Sequence, residues 1–213
     1  MTRILIIGGH GKIALKLAPL LVERGDSVTS LIRNPDHTDE VAATGASPVV
    51  ADVEQLSAAE LATLFAEHHA IVWSAGAGGG SPERTYAVDR DAAIRAIDAA
   101  GAAGIPRFVM VSYFGAGPDH GVPEDNSFFA YAEAKAAADA HLEASTLEWT
   151  ILAPSTLTDD PGTGSIEVGA EEGTSVSRDD VAQVAAAVLA DDATARRVIP
   201  FNTGSTPIAE AIA

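Results

Sequence analysis

Four consecutive aliphatic residues, Ile4-Leu5-Ile6-Ile7, run straight into Gly8-Gly9-His10-Gly11-Lys12-Ile13-Ala14. The apolar run suits a strand buried on both faces of a parallel sheet. Ile13, Leu17, Leu20 and Leu21 follow at helical spacing, and the helix they predict stops near Gly25. Residues 9–14 read G-x-G-x-x-A, and Gly8 opens an overlapping frame. Strand, glycine turn and helix in this order form a phosphate cradle. The glycines permit the tight turn and let backbone N–H groups approach a pyrophosphate, the helix N-terminus adds partial positive charge, and Ala14 allows close helix–strand packing. The expected contacts to a dinucleotide are Gly8, Gly9, His10, Gly11, Lys12 and Ile13.

The rest of the chain repeats the alternation. Strands are predicted at 27–32, 48–50, 70–73, 107–112, 149–152 and 198–201, and helices over 58–65, 82–103, 127–144 and 179–189. This rhythm predicts an α/β fold, a Rossmann-type doubly wound parallel sheet with right-handed crossovers. With 213 residues the chain supports one sizeable core. It reads as a single dinucleotide-binding domain over 1–213, with a small substrate-side segment from about 154 to 213. Residues 154–173, rich in Pro, Gly, Thr and acidic side chains, read as a mobile loop or a surface excursion.

The charge excludes several function classes. Thirty acidic residues against 13 basic give a formal net charge of −17, which repels nucleic-acid phosphates and anionic membranes. The absence of cysteine removes disulfides, thiolate nucleophiles and cysteine-ligated metals. The six histidines show no ligand spacing, so no metal is expected. No apolar run approaches a membrane span or a signal peptide, and cytoplasmic location is the expectation. Alanine-rich helix faces leave two uses open, packing on the sheet or pairing into a homodimer.

The second strand ends Leu31-Ile32-Arg33-Asn34. An acidic residue here accepts from a ribose 2′-hydroxyl, whereas arginine suits a 2′-phosphate, so Arg33 predicts NADP, with NAD as the alternative. Asp52 and Val53, after the third strand, stand where such folds contact adenine; an ordinary capping role for Asp52 stays open. Ala75 and Gly76 follow the fourth strand at the carboxyl edge and begin the run Ala75-Gly76-Ala77-Gly78-Gly79-Gly80. Tyr131 and Lys135 are four residues apart on a predicted helix and share one face.

This ordered set resembles the short-chain dehydrogenase/reductase superfamily, specifically its atypical, NmrA-like and biliverdin/flavin-reductase-like members. The resemblance spans nearly the whole chain. It rests on the glycine turn, Leu31-Ile32-Arg33-Asn34-Pro35, Ala75-Gly76, Val88-Asp89-Arg90-Asp91, Phe108-Val109-Met110-Val111-Ser112, Tyr131-Ala132-Glu133-Ala134-Lys135, Trp149-Thr150-Ile151-Leu152-Ala153-Pro154 and Ser177-Arg178-Asp179-Asp180-Val181-Ala182. It implies strand order 3-2-1-4-5-6 with room for a seventh strand, and a substrate cleft at the carboxyl ends. It further implies that Tyr131 exchanges a proton with a substrate oxygen, that Lys135 tunes it and holds the nicotinamide ribose, that Ser112 orients the oxygen, and that Pro154 lies beside the cofactor. The chain departs from the pattern at Tyr113, where many relatives carry a second serine, at Ala153, where arginine is common, and at Asp89, where asparagine is usual.

The resemblance implies a NAD(P)-dependent oxidoreductase that moves a hydride between the nicotinamide and a small carbonyl, quinone or flavin-like acceptor. A non-catalytic redox-sensing regulator and an epimerase or dehydratase with retained NAD are the alternatives.

Overall fold

The computed structural model describes residues 1–78 and 81–213; Gly79 and Gly80 of the glycine-rich run lie outside them. Its elements are β1 (Arg3–Ile7), α1 (Lys12–Glu23), β2 (Ser27–Ile32), α2 (Thr38–Ala43), β3 (Ser47–Val50), α3 (Ala58–Phe65), β4 (Ala70–Trp73), α4 (Pro82–Thr85), α5 (Ala93–Ala102), β5 (Arg107–Val111), α6 (Phe129–Glu143), β6 (Glu148–Pro154), β7 (Thr156–Thr158), β8 (Ser165–Val168), β9 (Ser175–Ser177), α7 (Arg178–Val188), β10 (Arg197–Thr203), β11 (Thr206–Pro207) and α8 (Ile208–Ala211). The main sheet runs β3-β2-β1-β4-β5-β6-β10, all parallel, and ends in β8, antiparallel to β10, and β11, antiparallel to β8. This is a Rossmann-type α/β fold in the order 3-2-1-4-5-6, with β10 as the seventh parallel strand.

β1 shows why the apolar run is continuous. Its side chains alternate between faces, and both faces are covered. Ile4 and Ile6 pack with Leu17 and Leu21 of α1 and Val181 and Val184 of α7. Leu5 and Ile7 pack with Leu61 and Phe65 of α3, Ile97 of α5 and Leu142 of α6. The alanine faces of α5 and α6 are buried within the chain, at Ala96, Ala100, Ala134 and Ala138 among others.

Two sequence expectations change. The helix over 82–103 contains a π-helical stretch, Tyr86–Ala92, between α4 and α5, with Asp89 buried inside it. Residues 154–173 are not a plain loop. They hold β7, which pairs with β9, and β8, which pairs with β10. Ile166 of β8 joins the same core as Ile4. These strands are three and four residues long, too short to show a period before their partners are known. Among the described residues, no helix is long and apolar enough to cross a membrane.

Candidate active site

The glycine turn is built by close approach. Gly8 has φ +83°, and a Cβ there would lie 2.6 Å from the Ala75 Cα, so only glycine lets the end of β1 touch the loop after β4. Gly9 donates its N–H to the Leu31 carbonyl at 2.8 Å, and a Cβ on it would stand 2.5 Å from the Ser30 Cβ. Gly11 donates to the Gly8 carbonyl at 2.8 Å and is the N-cap of α1. No side chain caps that helix and no acidic residue stands in its first turn. The end of α1 therefore offers N–H donors and partial positive charge to an anion.

A cleft of about 310 Å³ opens from this turn, lined by Gly8, His10, Gly11, Ala75 and Gly76 at one end. Arg33, Asn34, His37, Asp52, Val53 and Arg84 line it further out. The Asp52 carboxylate accepts from the Glu54 N–H at 3.0 Å, and the Val53 carbonyl accepts from Arg95 at 3.0 Å, so both hold the local backbone while facing the cleft. His10 stacks on His37 with ring centroids 3.5 Å apart and contacts the Glu40 carboxylate at 2.7 Å. Glu54 was not read from the sequence. Its carboxylate sits between two guanidinium groups, at 3.1 Å from Arg33 and 3.3 Å from Arg84. Lys12 does not line the cleft; its ammonium pairs with Asp159 at 2.7 Å.

A second chamber of about 650 Å³ continues past Ile13 and Gly76 to Asp89, Ser112 and Tyr131. Asp89 is buried, accepts from the Ala77 N–H at 2.9 Å, and is raised above the ordinary carboxylate range by burial. Gly76 is small where the loop crosses it: a Cβ would meet the Asp89 Oδ1 at 3.0 Å. Burial pushes the Tyr131 hydroxyl well above the ordinary tyrosine value, and the carboxylates of Asp89 and Asp139 and the ionisable hydroxyl of Tyr113 push the same way.

Lys135 is fully buried beneath β5. Its ammonium donates to the Val111 carbonyl at 2.9 Å and to the Met110 sulfur at 3.1 Å, and stands 4.0 Å from Asp139. The Ser112 hydroxyl donates to the other oxygen of the buried Asp139. Asp139 was also missed. The signal was present, because Tyr131, Lys135 and Asp139 follow one another at four-residue spacing on α6. Pro154 lines a third cavity beside Tyr131 and not the cofactor cleft.

The residues fit a nicotinamide dinucleotide. The uncapped end of α1 and the glycines that let β1 reach Ala75 form the cradle, Arg33 and Arg84 stand at the outer end, and Tyr131 and Ser112 at the inner. Fold and cleft together define a dinucleotide-binding protein of the Rossmann type. The chain belongs to the NAD(P)H-binding family, whose family model matches residues 8–192. It is 37% identical to the uncharacterized sugar epimerase YhfK of Bacillus subtilis, over 99% of this chain and 98% of that one. Its structure is similar to that of a provisionally assigned NAD-dependent epimerase/dehydratase from Bacillus halodurans, at TM-score 0.92 and 33% identity, covering 100% and 99% of the two chains. The oxidoreductase ylbE of Lactococcus lactis matches at TM-score 0.88 and 27% identity, over 99% of this chain and 94% of that one.

Proposed function

We propose that the protein is a reductase that uses NADPH to reduce a small carbonyl, quinone or flavin-like acceptor bound beside Tyr131. The observation that carries this reading is that Tyr131 and Ser112 line one chamber, which is continuous with the glycine turn through Ile13 and Gly76. When bound, the reduced nicotinamide supplies a hydride. The chain's own residues handle the proton. The Ser112 proton is directed to Asp139, so Ser112 presents lone pairs to the chamber. Tyr131 lines the chamber beside Ser112 and is the hydroxyl that gives a proton to the acceptor oxygen as the hydride arrives; burial holds it protonated at rest and makes it a weak acid, so the transfer is driven by the negative charge that develops on that oxygen. Solvent returns that proton. Lys135 holds the Val111 carbonyl and offsets the charge of Asp139, and through them it positions Ser112.

Arg33 supports the NADP preference. A 2′-phosphate exchanges with Glu54 for Arg33 and Arg84, both of which reach that carboxylate now. Titration with NADPH and NADH, followed by nicotinamide fluorescence, tests this. NADPH is expected to bind tighter, and Arg33→Asp to weaken NADPH by about tenfold more than NADH. Equal losses sink the NADP reading. For the chemistry, Tyr131→Phe is expected to lower turnover of a carbonyl acceptor about a hundredfold, and an unchanged rate removes Tyr131 from its role. A second reading follows from the epimerase names of two relatives. NAD co-purifying in stoichiometric amount, with no net oxidation of added NADPH, would favour it.

A further inference from the structure

Two arginines converge on one atom at the outer end of the cofactor cleft. The Arg33 and Arg84 guanidinium groups both donate to Oε1 of Glu54, at 3.1 and 3.3 Å. They reach it from separate parts of the fold: Arg33 follows β2, Arg84 lies in α4 and Glu54 follows β3. All three line the cleft. The Glu54 side chain is 18% exposed, against 54% for Arg33 and 36% for Arg84, so the carboxylate is the most enclosed of the three. Two N–H donors aimed at one enclosed oxygen are the arrangement that an oxygen of a bound phosphate would also satisfy.

The Glu54 backbone is held independently of its side chain. Its N–H donates to the Asp52 carboxylate at 3.0 Å, and its carbonyl accepts from Arg95 of α5 at 3.2 Å. The same guanidinium also holds the Val53 and Leu56 carbonyls, at 3.0 and 3.3 Å. The carboxylate can therefore leave the arginines without moving the turn that carries it. Partly exposed ion pairs contribute little, so a competing anion displaces it at small cost. Arg84 has a second anchor, because its Nη1 donates to the Ala77 carbonyl at 2.9 Å and keeps the guanidinium at the cleft once Glu54 has gone. Charge favours the exchange. With Glu54 in place the two arginines are half neutralised, whereas the free pair matches a phosphate monoester of about two negative charges.

We propose that Glu54 is a specificity-determining residue that narrows the choice between NADP and NAD. In the free chain its carboxylate stands in for the 2′-phosphate between Arg33 and Arg84. A dinucleotide with that phosphate turns the Glu54 side chain away and takes both arginines. A dinucleotide without it leaves Glu54 where it is, with a carboxylate oxygen to accept from the ribose 2′-hydroxyl. Glu54 thus opposes the phosphorylated cofactor and assists the other, against the preference that the arginines create. The assignment rests on the NADPH reading for the sign of that preference, but the direction in which Glu54 acts does not depend on it.

Binding of two fragments tests this end of the cleft without turnover. Adenosine 2′,5′-bisphosphate and adenosine 5′-monophosphate differ only in the 2′-phosphate, and calorimetric titration of the full chain measures both. The native protein is expected to bind the bisphosphate tighter. Glu54→Gln keeps the side-chain shape and removes the charge. It is expected to tighten the bisphosphate by about tenfold and to weaken the monophosphate by about threefold. Arg84→Gln is expected to weaken the bisphosphate by about tenfold and, combined with Glu54→Gln, to cancel most of the gain. Arg84→Lys should keep part of the bisphosphate affinity, and monophosphate binding within about threefold of native in both arginine variants shows that the cleft is folded. NADP⁺ and NAD⁺ are expected to shift in the same directions as the fragments. A weakened bisphosphate in Glu54→Gln overturns the proposal, since Glu54 would then hold the arginines in place for the phosphate. A native preference for the bisphosphate that Glu54→Gln leaves unchanged overturns the Glu54 assignment alone. Equal native affinities, with a tightened bisphosphate in Glu54→Gln, overturn the NADPH reading and leave the assignment standing.

Discussion

Helices α1 and α7 lie together on one face of the sheet, joined by the Lys16–Asp179 ion pair at 2.6 Å, yet their N-termini are finished in opposite ways. At α7 the Ser177 hydroxyl oxygen accepts from the Asp180 N–H at 3.0 Å. The buried Asp180 carboxylate accepts in turn from the Ser177 hydroxyl and from the Thr163 and Gly164 N–H groups at 2.8–2.9 Å. Asp179 and Asp180 also complement the helix dipole. At α1 the cap is Gly11, which has no side chain, and the first turn holds Lys12 and no acid. Both ends obey the same demand for acceptors at the free N–H groups. One meets it from within the chain and the other has no side-chain acceptor of its own.

Four changes break or sharpen this contrast. Gly8→Val has the largest expected effect. Its side chain meets Ala75 backbone at 2.6 Å and must accept φ +83°, so it should cost more than about 3 kcal/mol in urea unfolding and abolish NADPH binding. Asp180→Ala comes next. It strips acceptors from Thr163, Gly164 and Ser177 and should cost about 2–3 kcal/mol, while NADPH affinity stays within about threefold. A parallel loss of NADPH affinity would show that the two helix ends are not separable.

Gly11→Asp gives α1 the kind of acidic cap that α7 has. Apo stability should change by less than about 1 kcal/mol while NADPH affinity falls about tenfold, since the new carboxylate occupies the N–H groups and repels the phosphates. Unchanged affinity would mean the pyrophosphate does not rest on α1. The smallest effect is on pH dependence. Burial raises Asp139 above 3.8, against the opposing pull of Lys135 and the Ser112 hydrogen bond. It therefore holds its proton more tightly folded than unfolded, and its contribution to stability falls as pH rises from 3.8 through its folded value. Asp139→Asn should flatten that part of a stability profile, and an unchanged slope would show that Asp139 titrates as an exposed carboxyl does.

Some of this was legible because the information is local. The β1 run, the glycine turn and the period of α1 lie within about 20 residues of one another, where backbone sterics and a helical repeat act without help. The expected helix over 58–65 is α3 to the residue, and its start is fixed by a capping box of Ser57 and Glu60. Tyr131 and Lys135 follow from helical spacing, as Asp139 could have.

What joins distant parts was not legible. Glu54 meets Arg33 and Arg84 from 21 and 30 residues away, and Ser112 meets Asp139 across 27. β7 and β8 exist only because other strands complete their hydrogen bonds. The amino-acid order thus settled the fold class, the glycine turn at the end of β1 and the helix face that carries Tyr131, since each depends on apolar period and glycine sterics over a few neighbouring residues. Where the Lys135 charge goes, which way the Ser112 proton points and which rings wall the cavity beyond Tyr131 depend on groups brought together by burial of the shared core, and packing alone decided them.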